Sequence, residues 1–182
     1  MTSPGKHPQA DDTIRRIGEE GWLRRVRRWF AADAGTRELG IGDDAAALRV
    51  DGTVVVSTDA LVEGVHFRLD WTAPRDLGRK TLAVNLSDLA AMGARPLAAL
   101  LALSVPPSAR QEDLQAFFLG LRAEGRAWGC PLAGGDLTRA PQWTIAVTVL
   151  GRPAKQGQRL VRRDRARPDD WVYVTGRPGE AG

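Results

Sequence analysis

The sequence predicts an α+β domain with a mainly antiparallel sheet and helices on one face. Three observations carry this. At 182 residues, with 43% hydrophobic and 26% charged residues, the chain has the composition of a globular domain able to bury a core. Helix-period and strand-period segments follow one another as helix, hairpin, helix, strand, helix and strand pair, without the strict alternation that a parallel doubly wound sheet requires. No period of 20 to 50 residues repeats, and the longest apolar run, 96–105, is far below the roughly 20 residues of a membrane span.

Residues 1–12 are polar and read as a loose leader without an apolar signal core. Ile14, Ile17, Trp22, Leu23, Val26 and Phe30 recur at helical spacing and predict a helix from Thr13 to about Ala32. Asp51-Gly52 between 45–50 and 53–57 is a hairpin signal. Asp76 can cap a helix that runs to Met92, stopped by Gly93 and Pro96. Residues 97–105 predict a buried strand. Ser108, with Gln111 three positions on, can cap a third helix whose stripe is Leu114, Phe117, Phe118, Leu121 and Trp128, ended by Gly129. A short apolar segment from Cys130 stops at Gly134-Gly135-Asp136, and 143–150 alternates as a strand. The boundaries are a domain over 13–150, a linker over 151–170, and from 171 to 182 the first strand of a truncated second α+β domain, beginning at Trp171.

The net charge of +4 lies wholly in residues 151–182, where eight basic residues face four acidic ones; the first 150 residues are neutral. That distribution argues against a nucleic-acid binder, whose basic stripe lies on the folded body. The single cysteine, Cys130, excludes an intrachain disulfide and a multi-cysteine metal site, and fits a reducing cytoplasm.

Acidic residues stand at the ends of apolar segments: Asp43 and Asp44 after Gly-Ile-Gly, Asp59 after Val-Val-Val-Ser-Thr, Asp136 after two glycines. Each alone is ordinary turn chemistry. Asp88 lies three residues from Asn85 on a helix apolar almost all round, where an unpaired buried carboxylate costs several kcal/mol and calls for a partner, a cation or a neighbouring loop. Converging carboxylates suit a hard cation such as magnesium, completed by water and phosphates. Flanking glycines let backbone N–H groups approach phosphate, and the Arg162-Arg163 pair can clamp one or simply be solvated. Together they point to phosphoryl transfer from a magnesium nucleotide. The chain has no GxxxxGK[ST] loop and no HRD or DFG set, so P-loop enzymes and protein kinases are excluded; no GxSxG or HExxH occurs either.

Read together, GIGDDAA, VVSTDALVEGVHF, LGRKTLAVNLSDLAAMGARP, GGDLTR and RPDDWVYVTG resemble the thiamine-monophosphate kinase family, from about Gly40 to Gly176 and in the same order. The resemblance implies ATP-dependent phosphorylation of thiamine monophosphate to thiamine diphosphate, with Mg2+ as the metal. It puts metal ligands at Asp44, Ser57, Thr58, Asp59, Asp88 and Asp136, with Asp43 as a helper and Asp59 and Asp88 as the catalytic carboxylates. It puts the nucleotide at Gly135, Asp136 and Arg163, the substrate at His66, and Phe118 at a tyrosine position that contacts nucleotide. It also implies a cytoplasmic homodimer paired through the sheet, with no nucleic acid or membrane as partner. Leu137 stands where the family commonly carries threonine, which removes a hydroxyl near the nucleotide. Two other readings are kept: a non-catalytic magnesium-nucleotide-binding remnant, and a related enzyme of the aminoimidazole ribonucleotide synthetase-like superfamily with another phosphate acceptor.

Overall fold

The computed structural model describes residues 17–33, 37–41, 44–155, 157–174 and 176. Helix α1 spans Gly18–Phe30 and buries Trp22, Val26 and Phe30, which follow one another at four-residue intervals, while Arg24, Arg27 and Arg28 stay exposed. Its expected first residues, from Thr13, lie outside the described part. Beyond its end Asp33 accepts hydrogen bonds from Arg122 and Arg126, at 3.0 and 2.9 Å. Burial pushes the Asp33 carboxyl up, but the two guanidinium groups outweigh it and hold the carboxyl below its ordinary value.

Strands β1 (Arg37–Leu39) and β2 (Ala47–Leu48) form a small antiparallel pair. This corrects the expected hairpin: Gly52 does turn, at φ +82°, but the two runs it joins pair elsewhere. The main sheet comprises β3 (Val55–Val62), β4 (Ala94–Val105), β5 (Leu132–Arg139) and β6 (Thr144–Pro153), in the order β3-β6-β4-β5. Two of its three neighbour pairs are antiparallel. The third, β4–β5, is parallel because helix α3 (Gln111–Trp128) crosses over between them. Helix α2 (Pro74–Ala91) joins β3 to β4.

Both long helices start away from the expected caps. Pro74 occupies the first turn of α2, where its missing N–H costs nothing, and Arg110 rather than Ser108 precedes α3. The expected stops hold: Gly93 and Gly129 adopt φ +66° and +64°. Helices α2 and α3 touch backbone to backbone, since a Cβ on Gly120 would stand 1.9 Å from the Arg75 carbonyl oxygen and one on Gly78 2.0 Å from that of Phe117.

Strand alternation sorts the sheet into two faces. Ile145, Val147 and Val149 of β6 and Ala99, Leu101, Leu103 and Val105 of β4 are buried with Leu82, Leu89, Phe117 and Leu121 of the helices. Cys130 shares that core, where burial pushes its thiol up to about 12. The other face carries Val56, Thr58 and Ala60, the Ala146–Thr148–Leu150 row, and Leu100 and Ala102; Val56 is 59% exposed.

Two further expectations are corrected. β5 runs straight through Gly134-Gly135-Asp136 instead of stopping there, because β4 pairs with all three residues. No strand forms at 171–174: Trp171, Val172, Tyr173 and Val174 are exposed, and no described strand pairs with them. Among the described residues no helix is long and apolar enough to cross a membrane.

Candidate functional site

The alternation of β3 turns Ser57, Asp59 and Leu61 toward α2 and Thr58 and Ala60 away from it. Leu61 goes into the core; Ser57 is half-buried and Asp59 exposed on the rim where β3 meets α2. There the Ser57 hydroxyl donates to Asp88 Oδ2 at 2.6 Å. Asn85 is buried and acts as a clamp: its Oδ1 accepts the Asp59 backbone N–H at 3.0 Å while its Nδ2 donates to the Thr81 carbonyl. The contrast expected between an apolar helix and a buried Asp88 is thereby reassigned. The amide is buried and the carboxylate is exposed. Asp59 carries an exposed carboxylate with no hydrogen bond or ion pair among the described residues.

This set of donors fits magnesium, which is held by one or two carboxylates and otherwise keeps water and phosphate oxygens. Ser57, Asp59 and Asp88 supply two carboxylates and a hydroxyl on one rim. Among the described residues no group of three or more His, Cys, Asp or Glu side chains is placed to enclose a metal. The Thr58 hydroxyl is committed on the opposite face, donating to the Val147 carbonyl at 3.0 Å and accepting from Thr148.

His66 stands beyond the far end of that rim, in the turn that follows β3. The turn is fixed by Gly64 N–H to Phe67 O (2.8 Å) and His66 N–H to Val62 O (2.9 Å). His66 Nδ1 accepts the Val62 backbone N–H at 3.0 Å, so the neutral ring carries its proton on Nε2. Lys80 of α2 donates from Nζ to the His66 carbonyl at 3.0 Å. Sequence reasoning passed over Lys80; the only signal was its place in the GRKTLAVNLSD run, beside residues that were singled out.

Phe118, Gly135 and Asp136 gather at the opposite edge of the sheet. Asp136 pairs with Ala102 and faces the open side, and Leu137 turns into the core, 8% exposed. A shallow depression is lined by Leu23, Ile41, Phe118, Gly134, Gly135 and Asp136, which brings Phe118 and the Gly135–Asp136 pair together. Phe118 itself is buried in an aromatic cluster with Trp29, Phe30 and Phe117. Ala46 approaches Gly134, setting the Asp44 segment near this edge; Asp43 lies outside the described residues. Asp136 and Asp59 are three strand spacings apart, about 14 Å, and on opposite faces. One subunit therefore does not bring all the expected ligands together. Arg163 is exposed on a short 3₁₀ turn (Arg163–Arg165); just before it, Val161 N–H bonds the Met92 carbonyl at the end of α2.

An α+β domain with a four-stranded mixed sheet of this order, with oxygen donors on one edge strand and a glycine-lined depression on the other, defines a class. The chain belongs to the family described as AIR synthase related protein, N-terminal domain, whose family model matches residues 42–152. Within it, the chain is similar to the thiamine-monophosphate kinases of Synechococcus elongatus, 41% identical over 93% of this chain and 50% of that one, and of Salmonella typhimurium, 44% identical over 88% and 50%. The crystal structure of thiamine-monophosphate kinase from Stenotrophomonas maltophilia superposes with a TM-score of 0.68, at 44% identity over 79% of this chain and 44% of that chain. The chain spans about half the length of the curated relatives it matches.

Proposed function

We propose that this domain serves the phosphorylation of thiamine monophosphate to thiamine diphosphate, with ATP as donor and magnesium as metal. The observation that carries the reading is the bonding along β3 and α2, Ser57 to Asp88 and the Asp59 backbone to Asn85, with His66 in the turn that follows β3, in a chain 41% and 44% identical to the named kinases. In the reaction an oxygen of the acceptor phosphate attacks the γ-phosphorus of ATP and the bond to ADP breaks. Magnesium, when bound, spreads the negative charge of the phosphates. The chain's own part is positioning. Asn85 fixes the backbone of Asp59, Ser57 orients Asp88, and the His66 turn holds the acceptor end. The test is formation of ADP and thiamine diphosphate from ATP, magnesium and thiamine monophosphate. Asp59→Asn and Asp88→Asn should each cut turnover by about a hundredfold or more with unchanged thermal unfolding. Near-normal turnover by Asp59→Asn overturns the assignment.

A homodimer belongs to the same reading. Asp136, Gly135 and Phe118 serve the nucleotide at one edge of the sheet and Asp59, Asp88 and His66 serve transfer at the other, too far apart to share one phosphate chain within a subunit. Two copies packed on the open sheet face, where Val56, Leu100 and Leu150 lie uncovered by any helix, can set the Asp136 edge of one beside the Asp59 edge of the other. Asp44 and Arg163 complete this proposed ligand set, with the cytoplasm as the compartment.

A further inference from the structure

We propose that Lys80 and the Nε2–H of His66 form the receptor for the anionic end of the acceptor, a dianionic phosphate monoester, with Lys80 as a positioning residue that no resemblance pointed to. The inference rests on the kinase reading and deepens it. Four observations converge. The Lys80 ammonium is exposed and makes one hydrogen bond, to the His66 carbonyl, with no carboxylate partner among the described residues. Two of its N–H groups remain to donate. The His66 ring is locked by the Val62 N–H on Nδ1, which makes Nε2 a donor and leaves the exposed ring free to use it. The turn is tied by main-chain bonds on both sides of Gly64, so these donors are placed before any ligand arrives.

Position along α2 supplies the last point. Lys80 precedes Asn85, the clamp of Asp59, by five residues, about 7.5 Å of helix rise, and precedes Asp88 by about 12 Å. A tetrahedral phosphate seated against Lys80 and His66 thus lies about 7.5 to 12 Å of helix rise from the Ser57–Asp59–Asp88 rim, a gap that the reach of the lysine stem and the γ-phosphoryl group of ATP must span. A point charge on a flexible stem suits a phosphate that must keep one oxygen free to attack, more than a bidentate fork would.

The experiment separates charge from staple. Lys80→Gln keeps a donor for the His66 carbonyl and removes the charge; Lys80→Arg keeps both. Binding of thiamine monophosphate and of thiamine is measured by calorimetry on the 182-residue chain in the absence of ATP, beside thermal unfolding of each variant. The expected result is a preference of the wild type for the monophosphate, a loss of about ten- to a hundredfold in Lys80→Gln, near-wild-type affinity in Lys80→Arg, and no effect of either on thiamine. Equal monophosphate affinity in Lys80→Gln and wild type would reduce Lys80 to a turn staple and overturn the proposal, as would a wild type that does not prefer the monophosphate. ADP release with ATP present reports on the kinase reading separately. Monophosphate binding that depends on Lys80 leaves the subsite standing whatever the turnover, whereas ADP release that is indifferent to thiamine monophosphate sinks the kinase reading; monophosphate-dependent ADP release indifferent to Lys80→Gln does the reverse.

Discussion

Gly120→Ala sets two rules against each other. By helix propensity alone, alanine in the middle of α3 stabilises by about 1 kcal/mol. The structure reverses the sign. The added Cβ would stand 1.9 Å from the Arg75 carbonyl oxygen, and it must retreat to at least 3.0 Å, a distance below which real Cβ contacts essentially do not occur. The obstacle is backbone, not a movable side-chain tip, so α2 and α3 must separate, loosening the packing of Leu77, Leu82, Leu114, Phe117 and Leu121. Overpacking of this kind costs about 3 kcal/mol, which in a chain of this size lowers the midpoint of thermal unfolding by about 6–12 °C. Because α2 also carries Lys80, Asn85 and Asp88, the same substitution should weaken nucleotide-dependent magnesium binding. The control is Gly129→Ala, where nothing lies within 4 Å of the new Cβ and only the left-handed backbone resists, for about 1 kcal/mol. Circular dichroism melts of the three proteins decide it: a Gly120→Ala chain as stable as wild type would falsify the close-packing argument.

Mixing Asp59→Asn with Asp136→Asn subunits should restore about a quarter of wild-type turnover, since half of randomly formed dimers then hold one intact site; no recovery on mixing removes the shared-site dimer. The Asp33 carboxyl is held below its ordinary value, so its contribution to stability is complete above the unfolded value near 3.8 and is lost as pH falls through the lower folded one. Asp33→Asn should accordingly narrow the loss of stability between pH 5 and about pH 2, read from urea midpoints; an unchanged acid profile refutes this. Cys130, buried and pushed up to about 12, should resist a thiol reagent at pH 8 in the folded chain and react once urea unfolds it.

The elements legible in the sequence were those whose signals are local. The stripe of Trp22, Val26 and Phe30, the apolar run in 97–105 and the glycine stops at 93 and 129 each act through their own backbone or their own face, and all reappear in the fold. What failed was pairing. Asp51-Gly52 is as good a hairpin signal as the chain contains, yet β3 spends its hydrogen bonds on β6, some ninety residues on, because the core-facing residues of both strands are buried by that choice. Gly134-Gly135 similarly read as a stop but forms strand, since a glycine at 135 lets β5 lie against β4 where a Cβ would meet the Leu101 carbonyl at 1.9 Å. At the candidate site, Ser57, Asp59, Asp88 and His66 were singled out by type and motif, and the structure sets Ser57 against Asp88, the Asp59 backbone against Asn85 and His66 in the turn after β3. The separation of Asp136 onto another edge could not be read, because strand order is a property of the assembled sheet and not of spacing along the chain. Lys80 was missed because a lysine on a helix is nearly always solvated; only its bond to a carbonyl fourteen residues away marks it.

The order β3-β6-β4-β5 also fixes when the site can exist during synthesis. β3 emerges early, carrying Ser57 and Asp59, but its only neighbour in the sheet is β6, which ends at Pro153. Until that strand has left the ribosome, the chain that precedes it can form α2 and α3 and pair them, while β3 waits without its sheet neighbour. Closing so distant a contact is slow relative to helix formation, and an exposed β-branched strand is a target for intermolecular pairing meanwhile. The rim proposed to handle phosphate is therefore among the last features to form, and a nascent chain halted before residue 144 would display the motif residues of β3 without the sheet that orients them.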